Sequence, residues 1–337
     1  VEKQKQRKNA VNTLRLIRIF SVITAILAYV MVLLGVLVTT TGSGHGCGNT
    51  WPFCHGEIIP GVITIAGVIE YSHRVMSGLD GFLVLILAVW TWLLYRKDFQ
   101  AKLFAFLSLL FVVLQGVLGA LTVIYEGTWA LTWLLSIHFG LALIAFASVI
   151  LLTVRLFQLG REPEESRAQA AGRRLQGLVW GLAVYTYIVV YTGALVEHSG
   201  AVAACGPQFP TCSPTYLPGL TSLVGIQLLH RYFAGLLWLL VLGLLVVATR
   251  RYRERRDIVR ASWWAFVLIT LQAISGMFNV WTEGQLLAAL VHTTLIAGFF
   301  SVLCLLCAQV GWPWKRTKPV VSGESGESKQ LELKTVS

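Results

Sequence analysis

Eight apolar runs divide the sequence, at approximately 14–39, 67–95, 102–124, 131–157, 175–196, 223–249, 258–281 and 286–311. About 20 mainly apolar residues are needed for a helix to cross the hydrocarbon core of a bilayer. A single segment in lipid can satisfy its own backbone hydrogen bonds only as a helix. The runs therefore predict an all-α integral membrane protein with eight transmembrane helices. Composition agrees. Charged residues make up 13% of the 337 residues, against roughly 25% in a soluble domain, which excludes an ordinary soluble globule and a disordered chain. The first run, about 26 residues long with no A-x-A site after it, reads as a retained span rather than a cleaved signal peptide.

Basic residues set the expected orientation. Except for Arg74 and Arg231, every Lys and Arg lies before or at the start of the first run, in 96–102, in 155–174, in 250–260, or after Trp314. The connections 40–66, 125–130, 197–222 and 282–285 carry none. Basic loops mark the cytoplasmic face, so both termini are expected in the cytoplasm of a plasma-membrane protein, with the cysteine-bearing loops outside. The net charge of +11 is then a topology signal and not a nucleic-acid surface, because no basic patch is interleaved with exposed aromatics. Trp51, Trp129, Trp281, Trp312 and Trp314 flank the spans, as interfacial anchors do. The polar link 159–174, with Pro163, separates an N-terminal four-helix half (14–158) from a C-terminal one (174–311). The polar segment 312–337 is expected to be a disordered cytoplasmic tail.

The two halves repeat at an offset of 154–158 residues. Cys47 and Cys54 match Cys205 and Cys212, and Pro60 matches Pro218. His73-Arg74 matches His230-Arg231. Gln115-Gly116 and Gly119 match Gln272-Ala273 and Gly276, and His138 matches His292. Each half starts on the same side, so the expected arrangement is two parallel four-helix bundles related by a pseudo-twofold axis along the membrane normal.

Ionisable residues inside a span point to function. His73, His138, His230 and His292 each lie six or seven residues past the outer end of an even-numbered run. At a rise of about 1.5 Å per residue, all four lie at a similar depth, on the order of 10 Å. Two imidazoles at equal depth on neighbouring helices suit bis-histidine ligation of a heme iron. A zinc site would want three or four ligands, and each half offers a pair. The alternative is four histidines that bond separately between helices. His45, His55 and His198 are expected to be solvated loop residues.

The repeat breaks on one face. Helix two carries Glu70, His73, Ser77 and Asp80 where helix six carries Gln227, His230, Ala234 and Leu237. A proton-moving reaction needs a titratable group near the iron, which places chemistry in the first half with Glu70 as the proton-handling residue, and a permanent heme in the second. An i,i+4 ion pair between Glu70 and Arg74 is the competing reading and is compatible with the first. For Arg74 and Arg231 two readings stand: bidentate contact with heme propionates, or snorkelling to the outer surface. The outer loops are expected to hold one disulfide each, Cys47–Cys54 and Cys205–Cys212. Cys304 and Cys307 read as small packing residues.

The segments TGSGHGCGNTWPFCHGEIIP, EYSHR, SIHFG, LLHRYFAG and VHTTLIAG together make the chain resemble the heme A synthases, membrane oxidoreductases of cytochrome oxidase assembly that convert heme O to heme A. The resemblance implies oxidation of a ring methyl of heme O to a formyl group by successive hydroxylations. It implies substrate heme between His73 and His138, a heme b cofactor ligated by His230 and His292, Glu70 as the acid required for activity, and the two loop disulfides. The enzyme that makes heme O and an electron acceptor are open as further partners. A diheme quinol-oxidising cytochrome and a non-enzymatic heme carrier are the rival readings. The cytochrome leaves the Glu70/Gln227 difference unexplained, and the carrier does not need two sites.

Overall fold

The computed structural model describes residues 2–61, 64–159, 171–212, 219 and 222–312; side chains before residue 12 are outside the description. Pro163, Pro218, Trp314 and the segment from 313 onward also fall outside it. Eight long helices carry the fold: α1 Glu2–Thr40, α2 Ile65–Leu94, α3 Phe99–Ile124, α4 Ala130–Gln158, α5 Arg173–His198, α6 Leu223–Arg251, α7 Arg256–Trp281 and α8 Leu286–Val310. Each is long and apolar enough to cross a membrane, in α1 over Asn12–Thr40. No strand occurs among the described residues.

Helix starts follow local chemistry. Thr64 caps α2 by accepting from Gly67 N (3.0 Å), and Ser222 caps α6 by accepting from Gly225 N (3.0 Å). Such caps satisfy amide groups that have no partner within the helix. Asp98 caps α3 through Ala101 N (2.8 Å) and pairs with Arg155 of α4. At the end of α4, Arg18 of α1 donates to the carbonyls of Leu156 (3.0 Å) and Leu159 (2.6 Å). This gives acceptors at a helix C-terminus their partners.

Within the first four helices, α1 packs on α2, α2 on α3, α3 on α4 and α4 on α1. Helices α5–α8 repeat the cycle: α5 on α6, α6 on α7, α7 on α8 and α8 on α5. The two sets meet through α1, α4, α5 and α8. The largest core cluster lies there, with Val32, Leu143, Phe146, Leu182, Phe299 and Leu303. Cys307 is buried in this cluster and Cys304 packs against it, so both behave as packing residues. The outward faces are apolar, as lipid contact requires: Phe82, Val113, Leu239 and Trp264 are all exposed.

The loops after α1 and α5 each hold a disulfide, Cys47–Cys54 with Cα atoms 4.5 Å apart and Cys205–Cys212 at 5.1 Å. Close backbone contact seats the first loop on α2: a Cβ at Gly46 would come within 2.3 Å of the Ala66 backbone. Mass spectrometry of unreduced protein is expected to show Cys47–Cys54 and Cys205–Cys212 linked peptides. Alkylation of all four thiols without reductant would contradict both bridges.

Candidate functional site

The four intramembrane histidines line one cavity of about 1680 Å³. Single-ligand pockets run to roughly 300–1,000 Å³, so this space is larger than one ordinary ligand needs. His73 and His138 lie eight residues into α2 and α4, His230 seven into α6, and His292 six into α8. At about 1.5 Å per residue they share a depth of roughly 9–12 Å. The structure thus sets all four histidines on the wall of one cavity at similar depth.

A glycine on the neighbouring helix stands against each ring. A Cβ built at Gly35 of α1 would lie 3.7 Å from His73 Cε1, and one at Gly119 of α3 would lie 3.9 Å from His138 Cε1. In the second half the fit is tighter: Gly193 of α5 is 2.8 Å from His230 Cε1 and Gly276 of α7 is 3.0 Å from His292 Cε1 by the same measure. A side chain at Gly193 would displace the imidazole. Gly119 and Gly276 were visible in the repeat, but Gly35 and Gly193 were not singled out, although they recur 158 residues apart.

The α2 face carries Glu70, His73, Ser77 and Asp80, and all four line the cavity; so do Gln227, His230, Ala234 and Leu237 on α6. Glu70 and Asp80 are buried, and Asp80 Oδ1 has no partner among the described residues. Glu70 is held at both oxygens. Oε2 accepts from Cys47 N (2.8 Å), and Oε1 pairs with Arg74 Nη2. Gln227 also reaches loop backbone, but as a donor, from Nε2 to Val202 O (3.0 Å). The acid-to-amide change therefore reverses the hydrogen bond from accepting to donating.

The two arginines meet loop backbone at the outer ends of their helices. The Arg74 side chain is only 10% exposed, and its Nη1 donates to the carbonyls of Thr50 and Phe53 (2.7 Å) in the first loop. Arg231 Nη1 donates to Gln208 (2.9 Å), Pro210 (3.1 Å) and Thr211 (3.1 Å) in the second. Both reach toward the outer side and tie a disulfide loop that lines the cavity to its helix. Burial and the missing Lys or Arg in these loops did not reveal this, because the acceptors are backbone carbonyls.

Of the outer histidines, His45 and His55 are exposed in the first loop, as expected, and His198 departs from the solvated-loop expectation. His198 ends α5, is half-buried and lines the cavity, and its Nδ1 has no partner among the described residues. Exposed His45 contacts Glu126 between α3 and α4. His55, at φ 55°, sets Nε2 3.1 Å from Gly46 O.

The donors present fit heme. Four imidazoles in two pairs, a large and mainly apolar cavity, and glycine gaps beside the rings suit two bis-histidine sites. The buried Nε and Nη2 of Arg231 have no partner among the described residues, which leaves a guanidinium edge able to meet a carboxylate.

Comparison with known proteins agrees. The profile of a family described as cytochrome oxidase assembly protein matches residues 18–304. A heme A synthase of Bacillus mycoides is 39% identical over 321 residues, covering 95% of this chain and 99% of that protein. A heme A synthase of Alkalihalophilus pseudofirmus is 39% identical over 287 residues, covering 85% and 95%. One of Bacillus cereus is 40% identical over 294 residues, covering 87% and 92%.

Proposed function

The chain belongs to the cytochrome oxidase assembly protein family, and from that membership and the cavity we propose that it acts as a heme A synthase in the membrane. It takes heme O as substrate and oxidises one ring methyl to a formyl group. Each of two successive hydroxylations adds a hydroxyl from water to that carbon and passes two electrons and two protons to an external electron acceptor and solvent; the resulting hydrate loses one water to the aldehyde. The observation that carries this reading is a pair of matched histidine sites in which the residue three positions before the histidine is a buried acid in one, Glu70, and an amide in the other, Gln227.

His73 and His138 hold the substrate in the first half, and His230 and His292 hold heme b in the second. When bound, heme b supplies one-electron redox chemistry. The halves are related by a pseudo-twofold axis along the membrane normal. Both termini are cytoplasmic and the disulfide loops face outward. Glu70 handles the proton at the substrate side. Its carboxylate stays oriented because Arg74 and the Cys47 amide fix one oxygen each. A base in a preset geometry near the reacting group contributes typically 10²–10⁴-fold. Residues of both disulfide loops, among them Trp51, Phe53 and Phe209, line the outer end of the cavity.

The pigment extracted from purified protein tests this. Heme b together with heme O or heme A is expected. Heme b alone, at two per chain, would mean a diheme cytochrome, and substoichiometric exchangeable heme would mean a carrier.

A further inference from the structure

The two histidine pairs differ in what holds the far ring nitrogen. His230 Nδ1 lies 3.1 Å from Thr192 Oγ1, and that hydroxyl lies 2.8 Å from Val189 O. His292 Nδ1 lies 2.9 Å from Ser275 Oγ, and that hydroxyl lies 2.9 Å from Gln272 O. A hydroxyl has one proton to give, and a carbonyl can only accept. Each hydroxyl therefore donates to its carbonyl and accepts from the imidazole. Nδ1 carries the proton in both rings, and Nε2 is left with its lone pair. The Gln272 amide supports this assignment, because its Nε2 donates to His292 Nε2 at 3.0 Å.

The first half lacks this arrangement. The positions before the ring-contacting glycines, Thr192 before Gly193 and Ser275 before Gly276, are Leu34 before Gly35 and Leu118 before Gly119. Leucine offers no hydrogen bond. His73 Nδ1 and His138 Nδ1 are buried without a partner among the described residues. Among the described residues, nothing fixes the tautomer of either ring.

We propose that Thr192 and Ser275 are positioning residues that make the second-half heme resident, and that Leu34 and Leu118 keep the first-half heme exchangeable. This rests on the assignment of His230 and His292 as heme ligands. A ligating histidine that donates its other N–H is oriented and made more basic, and loss of such a partner costs typically 10–100-fold in metal affinity. A cofactor site gains from that hold. A site that must release product after each cycle does not.

The test is a Thr192→Val, Ser275→Ala double variant, purified with its heme and passed through detergent gel filtration, then washed with apomyoglobin as a heme acceptor. Heme b is expected to transfer to the acceptor about 10–100-fold faster than from wild type, with an altered low-spin electron paramagnetic resonance signal. The conservative Thr192→Ser, Ser275→Thr variant is expected to restore both. Wild-type retention and an unchanged signal in the double variant would overturn the proposal. His230→Ala run alongside separates the two claims. If it loses heme b while the double variant keeps it, only the hydroxyl role fails. If it keeps heme b, the ligand assignment itself fails. The reverse change, Leu34→Thr with Leu118→Ser, is expected to slow release of heme from the first half; release as fast as wild type would contradict the role given to the leucines.

Discussion

Glu70→Gln is expected to lower heme A formation by roughly 10²-fold or more, the scale on which a general acid–base group acts, while heme b and both disulfides are retained. Glutamine keeps the length and an acceptor oxygen that can still meet Cys47 N. It removes the charge that pairs with Arg74 and the ability to take a proton. The protein contains its own comparison, since Gln227 stands three residues before His230 and packs against loop backbone without an ion pair. The measurement is the heme A to heme O ratio in membranes containing equal amounts of wild type and variant. A Glu70→Asp variant is expected to recover part of the activity, because the titrating group returns at a shorter reach. Wild-type heme A formation by Glu70→Gln would reduce Glu70 to a structural partner of Arg74 and the first loop.

His230→Ala and His292→Ala are each expected to abolish the low-spin heme b spectrum. Either change removes one axial ligand and leaves a gap opposite Gly193 or Gly276, whose close approach to the ring depends on an imidazole being there. His73→Ala or His138→Ala is expected to leave that spectrum intact and to stop heme A formation. Visible absorption of reduced, purified variants checks both statements. A full bis-histidine spectrum in His230→Ala and His292→Ala would remove the assignment of the cofactor to the second half.

The helices and the histidine pairs were legible because lipid imposes a strong rule on sequence. Every span must be apolar, so an imidazole or carboxylate within one stands out. The internal repeat then supplied a comparison that a single copy would not. Boundaries were close except at α1, whose helix begins at Glu2 rather than at the first apolar residue, since helical backbone can continue into polar sequence outside lipid. What sequence did not reveal depends on partners far apart in the chain. Arg74 and Arg231 reach loop carbonyls about twenty residues away, and carbonyls leave no compositional trace. His198 looked like a loop residue because the apolar run ends before it, yet α5 carries it into the cavity wall. Thr192 and Ser275 are ordinary residues in apolar helices. Their partners became visible only once α5 was set against α6 and α7 against α8.

The central claim is that a pair of similar histidine sites has been divided into a reacting half and a resident half. The most direct measurement is chromatography of hemes extracted from cells that make heme O but have no heme A synthase of their own, after expression of this chain. Appearance of heme A with wild type, and of heme O alone with Glu70→Gln, is the result expected. Absence of heme A with abundant, heme b-loaded wild-type protein would contradict the account.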